Sequence, residues 1–184
     1  MDRREFLRLF STCVAGASTL GFGDAFADAD GRKDLPMRNF RALVLKRGDD
    51  LLRLDLGTRR DYAAACYLLR DVRARKMAHA HPWLLHTASL LQTLVAQAHG
   101  FEPLIINSGY RTRHTNTLVG GAGHSYHMAN ERGIFHAMDV RMRGIPVETL
   151  SRYALAIQQG GVGKYHNKGF VHIDVGPPRV WVDV

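Results

Sequence analysis

The run Phe170-Val171-His172-Ile173-Asp174-Val175 constrains this chain more than any other feature of its 184 residues. It has the length and apolar character of a β-strand. Strand alternation sends His172 and Asp174 to one face and Ile173 to the other. One strand therefore offers an imidazole and a neighbouring carboxylate together, either as a ligand and its partner or as a strand histidine satisfied by its neighbour. The surrounding sequence favours the first reading. Of ten histidines, six fall between residues 114 and 172, and a second aspartate, Asp139, lies in another strand-like run. Histidine with aspartate is a donor set that zinc prefers. A catalytic zinc site takes about three protein ligands and keeps one position open.

The rest of the chain supplies a scaffold. Phe40 to Lys46 and Leu51 to Leu56 flank Arg47-Gly48-Asp49-Asp50, the composition of a hairpin. A helix is expected from Asp61, as N-cap, through Tyr62, Cys66, Leu69 and Val72. A second opens at Pro82, runs through Leu85, Leu90, Leu91, Leu94 and Val95 and stops at Gly100. Pro103 to Asn107 reads as a buried strand, 112 to 136 as a long loop of the kind that is functional or disordered, and Ala137 to Met142 as a strand. Pro146 to Gln158 reads as a helix, and Gly160 to Gly163 as a tight turn before the last strand, 170 to 175. The pattern is α+β, with a small antiparallel sheet packed against helices. His79, His81, His86 and His99 lie on or between the core helices and carry no assigned role.

The first 27 residues have a basic start, a weakly apolar middle and Ala25-Phe26-Ala27 as a small-x-small cleavage site. Arg3-Arg4 before Glu5-Phe6-Leu7 resembles a twin-arginine signal, which carries folded proteins to the periplasm. Residues 28–39 read as a linker and 40–184 as the domain. No apolar run reaches the roughly 18 to 20 residues of a spanning helix, so stable membrane insertion is not expected. The leader holds three charges of each sign, and the exported domain keeps the whole net charge of +8. Scattered Lys and Arg without a recognition-helix or RNA-binding signature argue against nucleic acid and suit an anionic surface. Of the two cysteines only Cys66 lies beyond the leader, so no internal disulfide holds the fold.

Three segments in order carry a resemblance: Ser108-Gly109-Tyr110-Arg111-Thr112; Ser125-Tyr126-His127 with Ala137-Met138-Asp139-Val140; and Gly160-Gly161-Val162-Gly163 leading into residues 170–176. With the closing Arg179-Val180-Trp181, they resemble the zinc murein peptidases of the D-Ala-D-Ala carboxypeptidase and endopeptidase group, in its twin-arginine-exported branch. The resemblance runs from about Phe40 to Trp181. It implies that His127, Asp139 and His172 bind zinc and that the chain hydrolyses peptide bonds in peptidoglycan stem peptides or cross-links. Asp174 becomes a candidate general base or partner of a ligand. Arg111 becomes a candidate clamp on a substrate carboxylate, with a structural ion pair as its alternative, and His166 a rim residue that touches substrate.

One departure stands out. The group places its first His and its Asp seven positions apart, whereas His127 and Asp139 are twelve apart. Five extra residues fall within 128–136, and Phe135 stands where a glycine is expected. Such an insertion either bulges outward and keeps His127 in place or displaces it, leaving His136 or His124 as rival ligands. A protein with a displaced site would be a non-catalytic peptidoglycan-binding module; an intact one would be an endopeptidase or a D-alanyl-D-alanine carboxypeptidase.

Overall fold

The structure, a computed structural model, describes residues 40–183. The expected leader, 1–27, and linker, 28–39, lie outside them. The hairpin forms as β1 (Ala42–Arg47) and β2 (Asp50–Asp55), with Arg47 facing Asp50 across a two-residue turn. Gly48 takes φ +57° there, which a side chain would resist.

Helix α1 (Arg59–Leu68) starts two residues before the expected Asp61. Thr58 is the N-cap, its hydroxyl accepting from the Asp61 amide at 3.1 Å, while the Asp61 carboxylate accepts from the Asp55 amide at 2.8 Å. The helix also stops short of Val72. Asp71 pairs through its backbone with Lys76, and its carboxylate gathers the amides of Arg73 and Ala74, so the chain turns back on itself.

Helix α2 (Pro82–His99) follows the expected bounds and ends at Gly100, φ +85°. Its Leu84, Leu85, Ala88, Leu91, Leu94 and Val95 form much of the core. One side of it is polar for a reason. Parallel pairing of β1 with β4 (Leu104–Ser108) begins only at Leu45, which leaves the earlier backbone groups of β1 without a strand partner on that side. His86 donates to Phe40 O, Ser89 to Ala42 O, and Gln92 bonds both Val44 N and Val44 O. Three helix side chains thus do what a ladder would have done.

The sheet is larger and more mixed than the small antiparallel one expected. Seven strands run in the order β2-β1-β4-β6-β8-β7-β9, with β6 (Ala137–Arg141), β7 (Gly161–Tyr165), β8 (Phe170–Asp174) and β9 (Arg179–Asp183). The β1/β4 and β7/β9 pairs are parallel. The first becomes possible because α1 and α2 supply the long crossover that parallel strands need. The second arises because the chain after Asp174 folds back beside β7 as a strand that the sequence reading did not foresee. Helix α4 (Val147–Ile157) packs on β7, β8 and α2, over the face carrying Met138, Val140, Val171 and Ile173.

Two further expectations are corrected. The segment 112–136 is not one loop: it holds α3 (Arg113–Leu118), capped by Thr112, and β5 (Ile134–Phe135), which pairs with β3 (His79–Ala80). In the glycine run only Gly160, φ +87°, makes a turn, and Gly161 to Gly163 already belong to β7. Among the described residues, no helix is long and apolar enough to cross a membrane.

Candidate metal centre

The sheet face opposite α4 carries a polar row. Ser108, Asp139, His172, Gly163 and Trp181 are in register on β4, β6, β8, β7 and β9. Residues at the same height on adjacent strands touch, so the ladder itself sets Asp139 beside His172. His172 Nδ1 is 2.9 Å from Asp139 Oδ1.

His127 comes from a loop. Its backbone carbonyl accepts from the Arg111 amide at 2.9 Å, and its Nδ1 donates to Gly109 O at 2.7 Å. Gly109 is needed there because a Cβ would lie 2.4 Å from Leu69 O. So tethered, His127 Nε2 lies 3.1 Å from both Asp139 Oδ1 and His172 Nδ1. Among the described residues, His127, Asp139 and His172 form the group of side chains placed to hold a metal ion, and all three are buried.

The hydrogen bonds outside the cluster decide what faces inward. A carbonyl only accepts, so His127 carries its proton on Nδ1 and turns the Nε2 lone pair to the centre. Burial lowers the His127 pKa and keeps the ring neutral against the pull of Asp139. His172 Nε2 lies 3.0 Å from Asp174 Oδ2, and this bond likewise turns Nδ1 inward. Burial disfavours charge on both carboxylates. Contacts with His127 and His172 nevertheless hold Asp139 well below the usual carboxylate range, and His172, the Gly161 amide and Arg179 bring Asp174 to about 2. Two nitrogen lone pairs and an anionic oxygen converging on one point repel each other unless a cation sits between them, so the donor set fits a metal. In its absence a proton can take that place: burial opposes a charge on His172, but the bonds to Asp139 and Asp174 outweigh it and raise its pKa.

Asp174 is fully buried and faces the His172 nitrogen that points away from the cluster. Its oxygens also accept from Gly161 N at 2.9 Å, Gly176 N at 2.8 Å and both Arg179 Nη atoms. Of the two roles read from the sequence, this geometry fits the partner of His172. It does not fit a general base, because an enclosed carboxylate with both oxygens engaged has no approach to water. Arg111 is drawn down onto Asp139 Oδ2 through Nη2, with Nε donating to Ser108 Oγ at 2.8 Å, so the structural ion pair is realised.

The rival ligands lie elsewhere. His136 sits three residues before Asp139, stacks on His81 with ring centres 5.0 Å apart and meets Tyr126 edge-on. His124 is exposed and outside the cluster. The inserted residues fold outward. Asn130 Oδ1 accepts from the amides of Arg132 and Ile134, Gly133 turns at φ +73°, and the chain then pairs with β3 while Phe135 enters the core. His127 is therefore not displaced. His166 lies exposed beyond β7 with Nε2 3.8 Å from Glu148 Oε2. Asp71, to which no role was given, accepts from both the amide and the hydroxyl of Thr112 and so anchors the end of the Ser108–Thr112 motif. Trp181, its ring centre 5.0 Å from that of His172, has no signal in the sequence beyond its place in the closing Arg179-Val180-Trp181.

Residues 66–174 match the family model described as Peptidase M15. The chain is 36% identical over 120 residues to the peptidoglycan L,D-endopeptidase MepK of Escherichia coli K12, and equally to that of Shigella flexneri, covering 62% of this chain and 62% of each relative. It is 32% identical over 123 residues to the Haemophilus influenzae protein named "Probable peptidoglycan L,D-endopeptidase MepK", covering 64% of this chain and 62% of that one. The matched stretch thus spans less than two thirds of the length of these curated relatives. The family match, residues 66–174, contains all three members of the buried cluster, and the chain belongs to the peptidase M15 family.

Proposed function

We propose that this protein is a zinc-dependent peptidase of the periplasm, exported by its twin-arginine-type leader, that cuts peptide bonds in peptidoglycan stem peptides or cross-links. The observation that carries the reading is the convergence of His127 Nε2, Asp139 Oδ1 and His172 Nδ1, each within 3.1 Å of the others. The relatives' names supply the substrate class.

His127, Asp139 and His172 would hold the ion. When bound, zinc polarises the scissile carbonyl and brings the pKa of a coordinated water towards about 7. The chain's own groups do the rest. Gly109 O and Asp174 fix the two rings in the tautomers that ligation requires. Arg111 holds Asp139 by one oxygen and so directs the other to the centre. It engages Nε and Nη2 in doing so, which leaves Nη1 donors for a carboxylate of the stem peptide. His166, read from the sequence as a rim residue, turns instead towards Glu148 of α4, the helix on the opposite face of the sheet from the centre, and takes no part in this reading. A domain with net charge +8 is drawn to an anionic wall.

The test uses purified mature protein on isolated sacculi. Stoichiometric zinc, loss of hydrolysis with a chelator and recovery on adding zinc are expected. Release of cross-linked muropeptides as monomers marks an endopeptidase, and loss of terminal D-Ala alone marks a carboxypeptidase. Binding to sacculi without any product, in zinc-loaded protein, would sink the peptidase reading.

A further inference from the structure

We propose that Arg179 is a positioning residue for the metal centre, acting on His172 through Asp174 across a gap in β7 that Gly161 and Gly163 leave open. The inference rests on the zinc reading above and deepens it. Strand β7 lies between β8 and β9, so side chains of β9 would ordinarily be separated from those of β8 by a row of β7 side chains. Two positions of that row are glycine. Gly161 is in register with Arg179, and Gly163 with both His172 and Trp181.

The missing side chains are filled from β9. A Cβ on Gly161 would lie 2.6 Å from Asp174 Oδ2 and 2.7 Å from Arg179 Nη1, and a Cβ on Gly163 would lie 2.5 Å from the Trp181 ring. Arg179 reaches over β7 and grips Asp174 as a fork, Nη2 on Oδ2 at 2.6 Å and Nη1 on Oδ1 at 3.2 Å. Trp181 reaches over the same strand to His172. The guanidinium is itself steadied between Tyr126 and Trp181, 4.9 Å and 5.1 Å from the ring centres, and the Trp181 indole donates to Tyr165 Oη at 3.1 Å. A planar two-point grip fixes the carboxylate's rotation, and the carboxylate fixes the ring whose Nδ1 faces the metal. The edge strand of the sheet thus sets the orientation of a ligand two strands away.

The experiment measures zinc affinity by competition with a chromophoric chelator, alongside kcat and KM on a muropeptide, for the full mature chain. Arg179→Gln is expected to weaken zinc binding about tenfold and to lower kcat with little change in KM. Arg179→Lys, with one point of attachment in place of the fork, is expected to fall between, and Gly161→Ala to act in the same direction by closing the gap. Because Arg179 works through Asp174, adding Arg179→Gln to Asp174→Asn should weaken zinc no further. A folded Arg179→Gln protein with wild-type zinc affinity overturns the proposal, as does a rise in KM alone or full additivity with Asp174→Asn. Should Arg179→Gln fail to fold, Arg179→Lys decides, and wild-type zinc affinity in it is equally fatal. Wild-type protein that takes up no zinc overturns the metal reading as well, and is told apart because no variant then differs from it.

Discussion

Asp139 on β6 and His172 on β8 face each other in the ladder, His172 Nδ1 2.9 Å from Asp139 Oδ1, while the second oxygen of Asp139 is held by Arg111 and the second nitrogen of His172 by Asp174. Each side chain of the pair is thus fixed from behind by a group of opposite polarity.

If that pairing builds the centre, Asp139→Ala and His172→Ala each remove stoichiometric zinc and bring sacculus hydrolysis to background. Metal analysis after dialysis reads the first outcome and muropeptide chromatography the second. Full activity in either protein contradicts the assignment.

Metal removal should also cost stability, because the three ligands converge only in the folded chain. Zinc at a hundred times its Kd stabilises by about 2.7 kcal/mol. For a domain of this size that raises Tm by roughly 5–10 °C. Calorimetry of apo and zinc-loaded protein checks this, with His172→Ala as the control that should show no shift.

Gly163 has no room for a methyl group, since its Cβ would lie 2.5 Å from Trp181. Gly163→Ala is expected to destabilise by about 1–3 kcal/mol and to push the indole off His172. In a Trp83→Phe background Trp181 is the sole tryptophan, and its emission maximum should move with the substitution. An unchanged spectrum would mean the ring had not been displaced.

Asp71 should make stability pH-dependent. Burial alone would raise its pKa, but bonds from the Thr112 amide, Thr115, the Ala74 amide and the Thr112 hydroxyl outweigh it and bring the pKa to about 2, against 3.8 ordinarily. The folded value is the lower one, so the contribution is complete above about pH 4 and is lost as pH falls towards 2. It is on the order of 2 kcal/mol. Urea midpoints of Asp71→Asn and the parent should differ at pH 7 and converge near pH 2. A gap that stays constant across that range would exclude an ionic origin.

The pattern of apolar spacing, prolines and turn glycines in the chain was enough to foresee much of the scaffold. Pro82 and Gly100 bracket a helix because one lacks an amide the first turn does not use and the other accepts a positive φ. The alternation His172-Ile173-Asp174 put two polar groups on one face before any strand was seen, and the hairpin at Gly48 followed from its turn residues. What failed were features that depend on a partner distant in sequence. Helix α1 ends at Leu68, where Arg47 donates to the Leu68 and Arg70 carbonyls and the Thr112 amide holds Asp71, and the glycines of β7 are strand residues because Arg179 and Trp181 occupy the space above them.

Sequence alone determined the kinds of side chain available to the centre and the strand faces from which they project, because the period of a strand is local. Only the tertiary structure decided that His127 and not His136 joins Asp139 and His172, and that Asp174 stands behind His172. Both outcomes depend on sheet register and on a loop tethered to Gly109 and Arg111, long-range contacts that no local periodicity encodes.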